Sequence, residues 1–415
     1  MSTITPKLSV ALRAAAAGLA TLTVAACADD PVAPGGAESG AIRQQRSEVI
    51  PDQYVVLFNA DAPDPTALAA SLAKTHGGKV RFTYTTAIKG FAATLPQAAV
   101  DALRHNPHVA AVEADQIVQA DVVQTMDGVG QPWGLDRIDE KALPLSGTYT
   151  YNATGSGVRV YIIDTGLQAN HPQFINSRTG TSRALNVFDA YGASGADCNG
   201  HGTHVAGTVG GKTYGVAKLV MLRGVRVLGG NCGPSGLLSN VIAGVDWVAA
   251  HHVKPAVANM SLGGPKSLTL DAAVKGLAGA GVFVAVAAGN EGQDACNVSP
   301  ARVGTTSGVY TTAASTKADA RAVFATWASN YGTCVDGYAP GVSIKSAFLN
   351  GGTAIKSGTS MASPHVAGVA ALLKQSNPAW TPLTVEAWIT AAATPNKITG
   401  NIGGTPNRLL FKDIL

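Results

Sequence analysis

The sequence predicts a doubly wound α/β domain with a mainly parallel sheet, preceded by a small α+β domain of ferredoxin-like order. Three observations carry this. Beyond Trp133, short and nearly continuous apolar runs at 158–163, 256–260 and 282–287 alternate with helical segments, the pattern of strands buried on both faces with crossover helices between them. Residues 51–119 read instead as strand, helix, two strands, helix and strand. A chain of 415 residues with 46% apolar and 13% charged residues and 48 glycines suits a compact enzyme rich in tight turns, and excludes a disordered or coiled-coil protein. The formal net charge is only +4, with no Lys/Arg block interleaved with aromatics, so no nucleic-acid partner is predicted.

From the N-terminus, Lys7 and Arg13 precede an apolar run at 14–26, the basic and hydrophobic regions of a secretory signal too short to span a membrane. The signal is assigned to 1–27 and export follows. Val24, Ala25, Ala26 and Cys27 resemble a bacterial lipobox, which would lipidate Cys27 and anchor the chain at a cell envelope; ordinary cleavage after Ala26, or after the triplet 26–28, is the alternative. A Pro/Gly/Ser-rich tether is expected over 28–50. Of five cysteines, Cys198, Cys232, Cys296 and Cys334 lie in the later domain, and export favours two disulfides with the pairing open.

In the small domain, strands are expected at 53–58, 79–85, 90–95 and 109–112 and helices at 65–76 and 97–106. It carries no nucleophile, metal cluster or phosphate loop and reads alone as an interaction module. The large domain, 120–415, has strands expected at 158–163, 219–227, 256–260 and 282–287 and helices at 239–252 and 270–280. Open sheets of this kind place their working crevice beyond the carboxyl ends of the strands, where Asp164, Ser261 and the corner at 289–290 emerge.

Three segments there carry chemistry: Asp164 at a strand end, His201 within Asn199-Gly200-His201-Gly202-Thr203-His204, and Ser360 within Gly358-Thr359-Ser360-Met361-Ala362. A serine hydroxyl needs an imidazole to take its proton, and the imidazole needs a buried carboxylate to hold its tautomer. Singly, each residue reads as a helix cap, a core histidine or an N-cap. Together they read as the orienter, base and nucleophile of acyl transfer.

From about residue 131 onward the chain resembles the subtilases, most closely the proteinase K and aqualysin branch, through the blocks 160–166, 199–207, 259–264, 287–290 and 357–368 and the order Asp, His, Ser. The resemblance implies a secreted serine endopeptidase with protein and peptide substrates, working as a monomer. Asn290 and the Ser360 N–H would form the oxyanion hole. Pro234, Ser235, Gly236, Ser261, Leu262, Gly263, Ala287, Ala288 and Gly289 would flank an extended substrate. The domain at 51–119 would be a propeptide that assists folding and inhibits until self-cleavage between about 118 and 131. His204 would be structural, and Pro364 would mark the start of the helix after Ser360. The family also implies structural calcium, at Asp136, Asp139, Glu140, Ser146 and Thr148, and at Asp336 with carbonyls near 307–309. It implies pairing of Cys296 with Cys334, while the shifted position of Cys232 leaves its pairing with Cys198 open. The alternative function is a catalytically silent subtilase acting as an extracellular peptide-binding protein, in which a lost catalytic residue is expected; here all four positions are intact. A lipase-type esterase is set aside because no Gly-x-Ser-x-Gly elbow surrounds Ser360.

Overall fold

The computed structural model describes residues 21–23, 48–59, 61–85, 89–117, 122–305 and 307–415, grouped into two compact units, one within 42–121 and one built mainly from 122–413. Cys27, and the leader and tether apart from 21–23 and 48–50, lie outside the described residues.

In the smaller unit, β1 (Glu48–Phe58), α1 (Pro65–Thr75), β2 (Lys79–Tyr84), β3 (Gly90–Thr94), α2 (Gln97–Leu103) and β4 (Val109–Ile117) form a four-stranded antiparallel sheet in the order β2-β3-β1-β4. This is the split arrangement the element order predicts. Asp64 caps α1, its carboxylate accepting from Thr66 N at 2.9 Å with Pro65 at the first helical position, so chemistry readable in the sequence sets that boundary. Alternate residues of the strands supply Val56, Phe58, Phe91 and Ala93 to one apolar core with Leu72, Val100 and Leu103 from the helices. Strands β1 and β4 run past the predicted ends because residues 48–49 and 116–117 also pair, a pairing that no hydrophobic alternation announces.

The larger unit is organised by a nine-stranded sheet. Before it come β5 (Val122–Thr125), paired with β6 (Thr148–Tyr151), and the short helix α3 (Trp133–Asp139). The parallel strands are β7 (Arg159–Asp164), β8 (Ala184–Asp189), β9 (Met221–Arg226), β10 (Ala256–Met260), β11 (Phe283–Ala287), β12 (Val309–Ser315) and β13 (Gly337–Pro340), in the order β13-β12-β11-β10-β7-β9-β8. Residues 408–409 and 394–395 complete the β13 edge. The main helices are α4 (His201–Gly210), α5 (Leu238–His251), α6 (Leu268–Gly279), α7 (Thr359–Ser376) and α8 (Pro382–Ala392).

Side-chain alternation along β7 shows why the strands read as continuous apolar runs. Val160 and Ile162 enter the core shared with α4 and α7, whereas Tyr161 and Ile163 enter the core shared with α5 and α6. Each fully buried aliphatic side chain contributes about 1.5–3 kcal/mol, so a polar residue is disfavoured on either face. Strands β8, β12 and β13 escaped the sequence reading. β8 is an edge strand with mostly half-buried positions, β12 buries Thr311, Thr312 and Ser315 in a polar sequence, and β13 ends in Pro340. Pro364 lies inside α7, five residues beyond its first residue, rather than at its start. Disulfides join Cys198 to Cys232 and Cys296 to Cys334.

Candidate active site

The carboxyl ends of the parallel strands bring the predicted residues to one edge. Asp164 is the last residue of β7 and is fully buried. Its Oδ1 accepts from Thr165 N at 2.7 Å and lies 2.8 Å from His201 Nδ1, so the imidazole is held by a carboxylate with its other ring nitrogen directed away from Asp164.

His201 opens α4, and the turn before it has strict requirements. Gly200 sits at φ +95°, and a Cβ there would come within 2.3 Å of the Phe348 ring. Asp197 then satisfies the helix start: its carboxylate accepts from Asn199 N, Gly200 N, Thr203 N and Thr203 Oγ1 at 2.6–2.9 Å, and from Thr165 Oγ1 at 3.0 Å. Thr165 Oγ1 in turn accepts from Gly202 N at 2.9 Å, tying the Asp164 strand end to the His201 helix. Sequence reasoning missed Asp197 and Thr165. The available signal was an acidic residue just ahead of a helix start with a threonine in its first turn.

His204, one turn along, is buried with Nε2 at 3.0 and 3.1 Å from the carbonyls of Ile344 and Ala354. Burial, with the nearby His201 and Lys356 charges, pushes its pKa down to about 3, which keeps it neutral and structural.

Ser360 is the second residue of α7 and is buried, its Oγ donating to the Ser261 carbonyl at 3.3 Å. Asn290 faces the same helix start. Its Oδ1 accepts from Thr359 N at 2.9 Å and Thr359 Oγ1 at 3.1 Å, while its buried Nδ2 has no hydrogen-bond partner. An orphaned buried amide is costly unless a ligand completes it, and a developing oxyanion is such a ligand. Asn330 fixes the corner that carries Asn290: its Nδ2 donates to Ala288 O at 2.9 Å, and its Oδ1 accepts from Glu291 N and Gln293 N at 3.1 and 2.9 Å. Gly289, at φ +100°, is packed so tightly on the Asn330 amide that a Cβ would lie 2.3 Å from it. No sequence signal pointed to Asn330, which is distant along the chain.

Of the implied substrate residues, Ser261 and Ala288 are fully buried and Leu262 is nearly so. Ser235–Leu237 is an edge strand, and residues 21–23 pair with it antiparallel, Thr21 opposite Leu237 and Thr23 opposite Ser235. That edge therefore accepts an added extended segment.

The implied calcium ligands are arranged differently. Asp136 accepts from Ser146 N, Ser146 Oγ and Gly147 N at 2.9–3.2 Å, and burial raises its pKa to about 6. Asp139 accepts from Thr150 N and pairs with the buried Lys412 at 2.9 Å. The Glu140 carbonyl accepts from Arg137, and the Thr148 hydroxyl pairs with Ser146 Oγ. Asp336 accepts from Thr305 N and Thr311 N at 3.0 and 2.7 Å, and burial beside Glu386 raises its pKa to about 7. Calcium requires six to eight oxygens, whereas these carboxylates face N–H and O–H donors or an ammonium. Among the described residues no group of three or more His, Cys, Asp or Glu side chains assembles a metal shell. As placed, these carboxylates are held by protein donors.

A doubly wound sheet with a buried Asp–His pair, a serine at a helix start and an amide donor at its crevice edge belongs to the class of serine hydrolases. The comparisons narrow that class. Residues 155–408 match the model of the subtilase family, and residues 53–121 that of the peptidase inhibitor I9 family. An extracellular serine proteinase of Thermus sp. (strain Rt41A) is 45% identical over 417 residues, covering 95% of this chain and 97% of its own. Proteinase R of Parengyodontium album is 42% identical over 342 residues, covering 81% of this chain and 82% of its own. The crystal structure of a cold-adapted subtilisin-like serine proteinase aligns with a TM-score of 0.63 at 50% identity, covering 68% of this chain and 97% of its own. The chain belongs to the subtilase family: it is a subtilisin-type serine endopeptidase with an I9 propeptide domain.

Proposed function

We propose that the chain is exported as a zymogen and hydrolyses peptide bonds through an acyl-enzyme. Ser360 is the nucleophile, His201 its base, and Asp164 holds the imidazole and stabilises its cation. Asn290 Nδ2 and the Ser360 N–H receive the oxyanion. The observation that carries this is the buried Asn290 amide with no partner, next to Ser360 and on the same edge as the 2.8 Å His201–Asp164 contact. The extended substrate lies along 234–236 and 261–263 with 287–289 beside the scissile bond, a reading supported by the strand-accepting edge at 235–237.

Residues 51–119 act as intramolecular inhibitor and folding aid. Self-cleavage falls ahead of Val122, because β5 is paired with β6, Gln124 Nε2 donates to Thr213 O at 2.9 Å, and Met126 enters the large core, all parts of the peptidase unit. Secretion fits the two disulfides and the extracellular relative.

Wild-type and Ser360→Ala precursors compared on a gel and on unfolded casein test the reading. The wild type shortens and cleaves casein, and a serine-directed phosphonate stops it. Ser360→Ala stays full length with activity lower by about 10⁴-fold or more. Both forms staying full length and inert would contradict it and move a peptide-binding role forward.

A further inference from the structure

The Ser360 carbonyl lacks the partner that a helix would give it. In α7 it would accept from the backbone N–H of residue 364, and that residue is Pro364, which has none. Ser261 Oγ donates to it instead at 2.8 Å. The Ser261 hydroxyl oxygen accepts from Asn259 Nδ2 at 2.9 Å, and Asn259 Oδ1 accepts from Ser363 Oγ at 2.8 Å. Asn259, Ser261 and Ser363 are 0% exposed and Ser360 2%. Asn259 is also the one polar side chain of β10, a strand otherwise reading Ala-Val-Ala-Met and buried throughout. A buried amide there is tolerated because both its ends are hydrogen-bonded.

We propose that Asn259, Ser261 and Ser363 are positioning residues: a one-way hydrogen-bond chain from Ser363 through Asn259 and Ser261 to the Ser360 carbonyl that replaces the helix bond removed by Pro364 and aims the nucleophile. The proposal rests on Ser360 being that nucleophile. The carbonyl, the N–H and the Cβ of Ser360 hang on one Cα, so fixing the carbonyl fixes both the hydroxyl's approach to His201 and the N–H offered to the oxyanion. Reacting groups misplaced by about 1 Å lose about 100-fold in rate. The chain works in one direction only. Ser261 has a single proton, and it goes to the Ser360 carbonyl because Asn259 presents a donor, not an acceptor, to the Ser261 oxygen.

Asn259→Asp tests this because it keeps the shape and reverses the polarity. Once ionised, the introduced carboxylate cannot donate and draws the Ser261 proton to itself, orphaning the Ser360 carbonyl. The matured variant and wild type are compared from pH 5 to 9 by kcat and KM on a peptide and by the rate of covalent labelling with a fluorophosphonate. The expected result is a loss of about 10- to 100-fold in both kcat and labelling rate at high pH, with KM unchanged. The ratio to wild type should recover as pH falls, because the protonated carboxyl regains an O–H donor for Ser261. A deficit that does not change with pH, or a lowered melting temperature with wild-type labelling, overturns the proposal. Should the variant fail to mature, Ser261→Ala, which deletes one buried oxygen, takes its place: about a tenfold loss of kcat at constant KM is expected, and unchanged kcat overturns the proposal. Fluorophosphonate attached to the wild type elsewhere than Ser360 would sink the nucleophile assignment itself, an outcome distinct from either.

Discussion

The two units of this molecule are built on opposite principles. The small unit has an apolar core of Val, Leu, Phe and Ala, and among its described residues no polar or charged side chain is buried. The peptidase unit buries Asp164, His201, Asn259, Ser261, Asn290, Asn330, Ser360 and Ser363 along one edge and ties most of them by hydrogen bonds, Asp164 to His201, Ser363 through Asn259 and Ser261 to Ser360, and Asn330 to the Ala288 carbonyl. A unit that acts by shape tolerates a generic core. A unit that acts by chemistry needs buried polar groups whose partners are fixed, since each orphan costs about 1–3 kcal/mol.

That contrast can be attacked from the small unit first. Phe91 is wholly buried and packs on Phe58 with ring centroids 5.5 Å apart. Phe91→Ala should cost about 3–5 kcal/mol, most of the stability of so small a unit. The yield of mature enzyme should collapse, while the enzyme that does mature keeps wild-type specific activity. Reduced specific activity in the matured variant would show that the small core does more than assist. On the other side, Asn290→Ala should leave folding and propeptide removal qualitatively intact but lower kcat by about 10²- to 10³-fold. A change confined to KM would remove Asn290 from the oxyanion hole.

A smaller effect lies within the peptidase unit and is read by pH. His204 binds a proton with the ordinary value of about 6.5 when unfolded but only near 3 when folded, so its contribution to stability is complete above pH 6.5 and declines as pH falls toward 3, by up to about 1.4 kcal/mol per pH unit. Asp136 and Asp336 oppose it. Raised to about 6 and 7, they take up protons more readily folded than unfolded, so their contribution grows as pH falls to about 4. The wild-type sum therefore hides the histidine, and the pair of wild type and His204→Asn isolates it. In melting curves of phosphonate-blocked enzyme, the variant should lose less stability than wild type between pH 6.5 and 4. Parallel curves would mean that His204 takes up its proton in the fold as readily as in the unfolded chain.

Legibility in the sequence followed the same division. Residues 159–164, 256–260 and 283–287 announced themselves as apolar runs because both their faces are buried, and the blocks around Asp164, His201, Asn290 and Ser360 were specific enough to name a family. Val309–Ser315 did not, since its buried polar residues interrupt the apolar run and the partners that make Thr311 tolerable lie outside the strand, the Ala301 carbonyl for Oγ1 and Asp336 for the N–H. The surroundings of the acidic residues were illegible for the same cause: an acidic residue in a loop looks alike whether its partners are calcium or backbone N–H groups, and the fold shows N–H donors around Asp136 and Asp336. Pro364 read as a helix start because its cost inside a helix is met by Ser261, about a hundred residues upstream.

The central claim is that Ser360 is the nucleophile of this edge. Its most direct test is to label the matured enzyme with a fluorophosphonate, digest it, and locate the adduct by mass spectrometry. One adduct is predicted, on Ser360, formed in step with loss of casein cleavage, and none on the Asp164→Asn variant in the same time. An adduct on another serine, or full inactivation with Ser360 unmodified, would contradict it.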